Sequence, residues 1–364
     1  MKISLLCKTL VMVFLFSNSK LFADTLIILN KSDSSASLVD LNTEEVVATV
    51  KTGDGPHEVA ISPNGKTAVV SNYGDKIEGT TLTVIDIPSA SVTSTIKLRG
   101  FSRPHGLQWV SGTDEVLATA EEQESVLRVN IKSSKVMTII PIQQKIPHMV
   151  AIAQKMKRAF VANIGSGSIT VIDLNSSKKI KDIVSGQGSE GIDISPDEEQ
   201  IWVTNRNDDT VSVIETASMK VINHVKTELF PIRVKFSRSG KRVFVTNAKS
   251  GTFSIFDAVS QSVIRTISFG ISTKDNAGRM FGNEFSKSTV PIGIMVHPND
   301  KVVFVAHANQ DKISVIDLQT FQIIREISAG REPDGMGYSP LTVKTLSPAN
   351  FHEPRTIVLP VRSK

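Results

Sequence analysis

The feature that most constrains this chain is a repeat. The stretch "GPHEVAISPNGKTAVVSN" (55–72) returns in outline as "RPHGLQWV", "IPHMVAIA", "GSEGIDIS", "FPIRVKFS", "VPIGIMVH" and "EPDGMGYS". Its first anchor falls at Pro56, Pro104, Pro147, Ser189, Pro231, Pro291 and Pro333, at intervals of 48, 43, 42, 42, 60 and 42 residues. A second anchor closes the following strand as "IILN", "VVSN", "FVAN", "WVTN", "FVTN" and "FVAH", with "ATA" (118–120) the poorest copy. A third reads "LTVID", "ITVID", "VSVIE", "FSIFD" and "ISVID", with "SLVD" and "LRVN" as weaker copies. Periods of this length belong to solenoids, arrays and propellers.

Each repeat reads as four short strands, β-branched and alternating, separated by turn chemistry such as "SPNG" (62–65), "SRSG" (237–240) and "NRNDD" (205–209). No window carries a 3.6-residue apolar period. A four-stranded unit cannot bury both faces alone, whereas radial stacking of seven such units can. The expected fold is therefore all-β, a seven-bladed β-propeller of four-stranded blades over residues 24–340. The first copy starts at a second strand (Leu26–Asn30), and the last supplies only a first strand at Pro333. Pairing the N-terminal strands with that C-terminal strand closes the ring and removes an open edge.

The motifs "WVTN", "FVTN", "SVIE" and "SVID", with "SPNG" and "SPDE", resemble the YVTN β-propeller repeat of exported bacterial and archaeal proteins. The resemblance covers about residues 25–340 and implies a seven-bladed ring outside the cytoplasm. It implies little about chemistry, because propellers host binding, scaffolding and catalysis alike.

Outside the repeats, residues 1–23 have Lys2 and Lys8, an apolar run Leu10–Phe16 and a polar stretch ending in Ala23. This is the layout of a secretory signal peptide with cleavage after Ala23, and predicts a periplasmic or secreted protein. Cys7, the one cysteine, lies inside that segment, so disulfides and Cys–metal sites are not expected. Removing Lys2, Lys8 and Lys20 takes the formal net charge from +5 to about +2. With no basic run interleaved with aromatics, nucleic-acid binding is not indicated. Residues 341–364 form a tail beyond the repeats, in which "TIVLPV" has strand character.

In a propeller, the first strand of each blade lines the channel and the second ends at the same face. The slot after the first anchor holds Asp334, His57, His105, His148, Glu190, Ile232 and Ile292 in blade order. Three of the chain's seven histidines fall in these slots, and His307 stands in place of the second-anchor asparagine. His57, His105, His148, Glu190 and Asp334 are thus candidate ligands for a divalent metal such as zinc, with His307 and Arg233 added as ligand-binding candidates at the channel mouth. The competing reading has each histidine bridging backbone groups between blades. The side-chain directions of Glu58 and Arg233, next to slot residues, are not readable at this level.

Asn30, Asn72, Asn163, Asn205 and Asn247 read as groups that satisfy backbone in the turn after the strand, with rim contact to a ligand as the alternative. Gly106, Gly191, Gly293 and Gly335 are expected to let inner strands crowd together. The 60-residue interval holds an insertion at 272–289 on the histidine face, whose Met280, Phe281 and Phe285 either cap the channel, touch a partner or pack on the rim. Glu121 and Glu122 add acidic groups near His105. "GQGSEG" (186–191) precedes a strand rather than a helix, so it is not a dinucleotide fingerprint. "NRNDDT" lacks the glycine and distal glutamate of a calcium loop. No G-x-S-x-G elbow and no CxxCH heme-attachment motif occurs.

These features point first to an exported binding or scaffold protein that presents a His/carboxylate mouth to a small molecule or an envelope protein. The rival is a metal-dependent lactonase or lyase using the His57/His105/His148 arc. "RPHG" and "GPHE" are similar to the "PHG"-like turns of streptogramin lyases, but no matching catalytic His–Glu pair is found and the other repeats depart from that pattern.

Overall fold

The computed structural model describes residues 24–272, 277–279 and 281–344. The proposed signal peptide, Met280 and "TIVLPV" lie outside them. Among the described residues there are 28 strands and no helix, arranged as seven four-stranded antiparallel sheets. Each blade runs from an inner strand outward in chain order. The second blade shows the pattern: β4 (Pro56–Ile61), β5 (Thr67–Gly74), β6 (Glu78–Asp86) and β7 (Ser91–Lys97).

The other inner strands are β8 (Pro104–Trp109), β12 (Pro147–Ala153), β16 (Ser189–Ile194), β20 (Pro231–Phe236), β24 (Pro291–Val296) and β28 (Pro333–Ser339). Each packs against the inner strand of the next blade, and β24, β28 and β4 complete the circle. The closing blade is β28–β1–β2–β3, in which β1 (Thr25–Asn30), β2 (Ser35–Asp40) and β3 (Glu45–Lys51) come from the N-terminal end. Tyr338 pairs with Leu26 and Ser339 with Thr25, so the ring closes with three strands plus one, as the repeat phase requires.

Burial explains why four strands suffice. The second strands are buried on both faces, which accounts for continuous apolar runs such as "LIIL", "AFVA" and "VFVT". Outer strands such as "EVVATVK" alternate and stay largely exposed. A register shift bends these outer strands away from their neighbours, for instance between Val84 and Ile85, which blunts the free edge. Apolar clusters fill the spaces between blades, with Trp202, Phe236 and Phe256 packed edge to face in one of them.

One irregularity recurs in all seven blades and positions the site. Every inner strand carries one extra residue just after its anchor: Pro56 pairs with Asn72, and the next pair is Val59 with Val70. The bulge turns the residues after the anchor out of the regular pleat and toward the channel. A hydroxyl on the second strand holds it. Ser71 Oγ accepts the Glu58 amide at 3.0 Å and donates to the His105 carbonyl of the next blade at 2.8 Å. Thr119 does the same between Gly106 and His148.

The anchor asparagines do more than satisfy their own turn. Asn72 Nδ2 donates to Thr81 and Thr83 on the third strand while its Oδ1 accepts the Gly53 amide. Asn30, Asn163, Asn205 and Asn247 repeat the pair of hydroxyl contacts.

Candidate functional site

The bulges bring the slot residues to one mouth of the channel. Lys31, His57, Tyr73, His105, His148, Glu190, Arg206, Ile232, Arg233, Phe281, Ile292 and Asp334 line a cavity of about 150 Å³ there. A wider vestibule of about 500 Å³ adjoins it, sharing Tyr73, His148 and Arg206 and adding Arg103, Glu121, Glu122 and Lys145. Six of the seven predicted site residues line the inner cavity: His57, His105, His148, Glu190, Asp334 and Arg233.

His307 does not belong with them. It is fully buried, receives or donates hydrogen bonds at Thr289 (3.0 Å) and Ser314 (2.9 Å), and packs edge-on against Phe269. It does the work of the anchor asparagine, and burial pushes its pKa down to about 3. Its expected place in the ligand set is therefore corrected to a structural one.

The three slot imidazoles lie side by side with rings tilted by 34° and 30° rather than converging on one point. Ring centroids are 4.7 Å apart for His57 and His105, and 3.5 Å apart for His105 and His148. His148 Nδ1 lies 2.5 Å from Glu121 Oε1, and its Nε2 lies 3.4 Å from Glu190. His57 Nδ1 is 2.6 Å from Asp334 Oδ2, an ion-pair contact without a well-aligned hydrogen bond. Among the described residues, no group of three or more His, Cys, Asp or Glu side chains is placed to hold a metal ion. The set His57, His105, His148, Glu190 and Asp334 fails for a simple reason: His57 and His148 turn ring nitrogens toward separate carboxylates, His105 Nδ1 meets none, and no common point lies among them.

Arg233 organises the carboxylates. Its guanidinium reaches Glu58 at 2.8 Å, Glu190 at 3.4 Å and Asp334 at 3.8 Å. Arg206 adds a 2.9 Å contact to Glu190. Burial opposes ionisation of Glu190, yet the His148 hydrogen bond and the Arg206 charge hold its carboxyl down at about 2. Burial likewise opposes ionisation of Asp334, and the fields of His57, Arg233 and Lys31 outweigh it. Glu58 goes the other way, because burial raises its pKa more than Arg233 lowers it.

Burial and the Lys31 charge depress His57 to about 4, and burial with its imidazole neighbours puts His105 well below the ordinary value. Burial also opposes the charge on His148, but Glu121 and Glu190 raise it overall. The site therefore offers two neutral imidazoles, a third whose protonated form its carboxylate neighbours favour, and a guanidinium amid carboxylates. It suits recognition of a polar molecule. His105 Nδ1 and both Asp334 carboxylate oxygens are buried without a well-aligned hydrogen bond, in residues that are each 1% exposed.

Lys31, Tyr73, Glu121 and Arg206 share a place that the sequence reading did not single out as a slot. Each directly follows the second anchor, where the other blades have Ile164, Ala248 and Ala308. Comparing that position across repeats would have found them together. Glu58 and Arg233 occupy the second place after the inner anchor. Four blades have glycine there, and a Cβ at Gly293 or Gly335 would sit 2.0 Å from the Asp334 carbonyl or 2.2 Å from the His57 carbonyl.

The two remaining blades make the opposite wall apolar. Ile232, Ile292, Ala248, Ala308 and Val290 cluster with Phe285, and Phe230 and Phe281 pack against them. The described part of the insertion thus packs on the rim, and Phe281 also lines the cavity.

A sequence profile for the Cytochrome D1 heme domain matches residues 107–284, less than half of the chain. Among solved structures, Kuenenia stuttgartiensis hydrazine synthase is similar at a TM-score of 0.64 and 17% identity, over 77% of this chain and 88% of that one. A functionally unknown protein from Desulfotomaculum acetoxidans DSM 771 is similar at a TM-score of 0.71 and 14% identity, over 88% and 99%. These likenesses support the propeller fold alone. No curated protein matched the sequence. The YVTN resemblance rests on the repeat motifs.

Proposed function

We propose that this chain is an exported β-propeller that binds a small polar organic molecule at the mouth of its channel. One observation carries the reading: His105 and Asp334, each 1% exposed, line the 150 Å³ cavity, His105 Nδ1 with no hydrogen-bond partner and the Asp334 oxygens with only off-line contacts to His57 and Arg233. A buried polar group without a partner costs about 1–3 kcal/mol, so a ligand that pairs with it gains affinity there. The signal-peptide layout of residues 1–23 supports export.

The profile match raises heme as an occupant. The residues do not fit it. The inner cavity, about 150 Å³, is below the ~300–1,000 Å³ of ordinary ligand pockets. His148 has a carboxylate at each ring nitrogen, and His57 faces Asp334. The matched stretch also excludes Lys31, His57, His105 and Asp334, half of the ionisable His, Lys, Arg, Asp and Glu residues that line the cavity. No heme chemistry is assigned, and the metal-dependent lactonase or lyase reading has no ligand set to rest on.

The test is a thermal-shift screen of small organic acids, amines and polyols on the mature protein and on an Ile292→Phe variant that fills the cavity. The reading expects a saturable rise in Tm that the variant loses while keeping its strand circular dichroism. No rise with any compound, or a rise that survives the filling, overturns it.

A further inference from the structure

The cavity's unpaired groups specify more than polarity. Glu190 is matched by Arg206, Arg233 and His148, Glu58 by Arg233, and Glu121 by Tyr73 and His148. Two charged groups in the closing blade are less completely matched. The Lys31 ammonium lines the cavity and, among the described residues, meets no hydrogen-bond or ion-pair partner. Asp334 faces His57 at 2.6 Å and Arg233 at 3.8 Å, but neither contact is aligned as a hydrogen bond. The two lie near enough for each charge to act on the other, yet outside ion-pair contact.

The third element is the apolar wall. Ile232, Ile292 and Phe281 line the cavity on the side away from the imidazoles, and bury against Phe285 and Val290. A ligand that fits must present an anion to Lys31, a donor to Asp334 and a short apolar group to this wall. The volume of about 150 Å³ equals roughly five water molecules, at ~30 Å³ each. That is room for a molecule of about six non-hydrogen atoms, with the wider vestibule beside it.

We infer that the ligand is a short carboxylate with a hydrogen-bond donor on its second carbon and a small apolar substituent, that is, a 2-hydroxy or 2-amino acid. Its carboxylate pairs with Lys31, its hydroxyl or ammonium donates to Asp334, and its methyl-sized group meets Ile232 and Ile292. The neutral imidazole of His105 supplies a further polar contact. This inference rests on the channel mouth being a ligand site.

The experiment is calorimetric titration of the mature protein with sodium lactate and L-alanine, beside propionate, which lacks the donor, and 1,2-propanediol, which lacks the carboxylate. Lactate or alanine binds saturably, the choice telling hydroxyl from ammonium. Propionate and propanediol are each weaker by about tenfold or more, the range of a lost charge-assisted hydrogen bond. Lys31→Met loses the carboxylate preference, so that lactate and propanediol bind alike, and Lys31→Arg restores part of it. Equal affinity for lactate and propanediol in the unsubstituted protein overturns the inference. So does binding unchanged by Lys31→Met, or no binding of lactate or alanine. If the broad screen still finds a cavity-dependent ligand of another class, the ligand-site reading stands and only this inference fails.

Discussion

Arg233 reaches across the channel to Glu58, a residue 175 positions away in the chain, with Nη2 2.8 Å from Oε1. The two belong to blades on opposite sides of the ring. Both stand where four other blades have glycine, so the same bulge that lets inner strands crowd together elsewhere here sends out a charged side chain.

Arg233→Met leaves Glu58, Glu190 and Asp334 buried with one less cation. A loss of about 3–5 kcal/mol is expected, as for other broken buried pairs. Adding Glu58→Gln recovers part of it. Urea unfolding of the two single variants and the double gives the coupling energy; additive losses would show that the contact carries no stability of its own.

Acid sensitivity has a defined source. His57, His105 and His307 refuse protons when folded, whereas the unfolded chain takes them up below about pH 6.5. Their contribution is complete above that value and is lost as pH falls toward about 4 for His57 and about 3 for His307. His148 runs the opposite way: its raised pKa stabilises the fold in acid, and that share fades as pH rises through its folded value. His307→Asn restores the residue of the other repeats, so it should fold, and its urea midpoint should fall less steeply between pH 6.5 and 4. An unchanged slope would refute the assignment.

Gly293→Ala places a Cβ 2.0 Å from the Asp334 carbonyl of the adjoining blade. A destabilisation of about 3 kcal/mol is expected, the upper end for overpacking. Gly112→Ala has open space around it but a φ of +76°, and should cost about 1 kcal/mol from backbone strain alone. Melting temperatures in that order would separate inter-blade crowding from strain; equal losses would not.

Truncation before Pro333 removes β28 and exposes the edge of β1, which is buried along its whole length. The expected result is loss of a single cooperative transition and association through the freed edge. A truncated monomer that melts as the full chain does would argue against closure as a source of stability.

The ring was legible because its signal is repeated: the anchors fixed the blade phase and, through it, the pairing of the chain's two ends. The imidazoles were legible as slot residues for the same reason. Their mutual arrangement was not, since whether His105 lies beside its neighbours or turns a nitrogen inward depends on the bulge and on Glu121 and Asp334. Lys31 and Arg206 were missed because each sits one place past an anchor that had been read as a strand end. Glu58 and Arg233 were noticed but not oriented, because strand alternation alone cannot predict the extra residue that turns them. His307 was misplaced because a histidine in an asparagine slot looks like a ligand until its hydroxyl partners are seen.

The most direct test of the channel mouth as a ligand site is to follow the imidazole nitrogens. Protein with ¹⁵N-labelled histidine would be titrated with a pool of small organic acids, amines and polyols at constant pH. The account predicts saturable shifts at His57 and His105, which line the cavity, and none at His307 or at His224 on an outer strand. Shifts that are absent, or spread evenly over all four histidines, would contradict it.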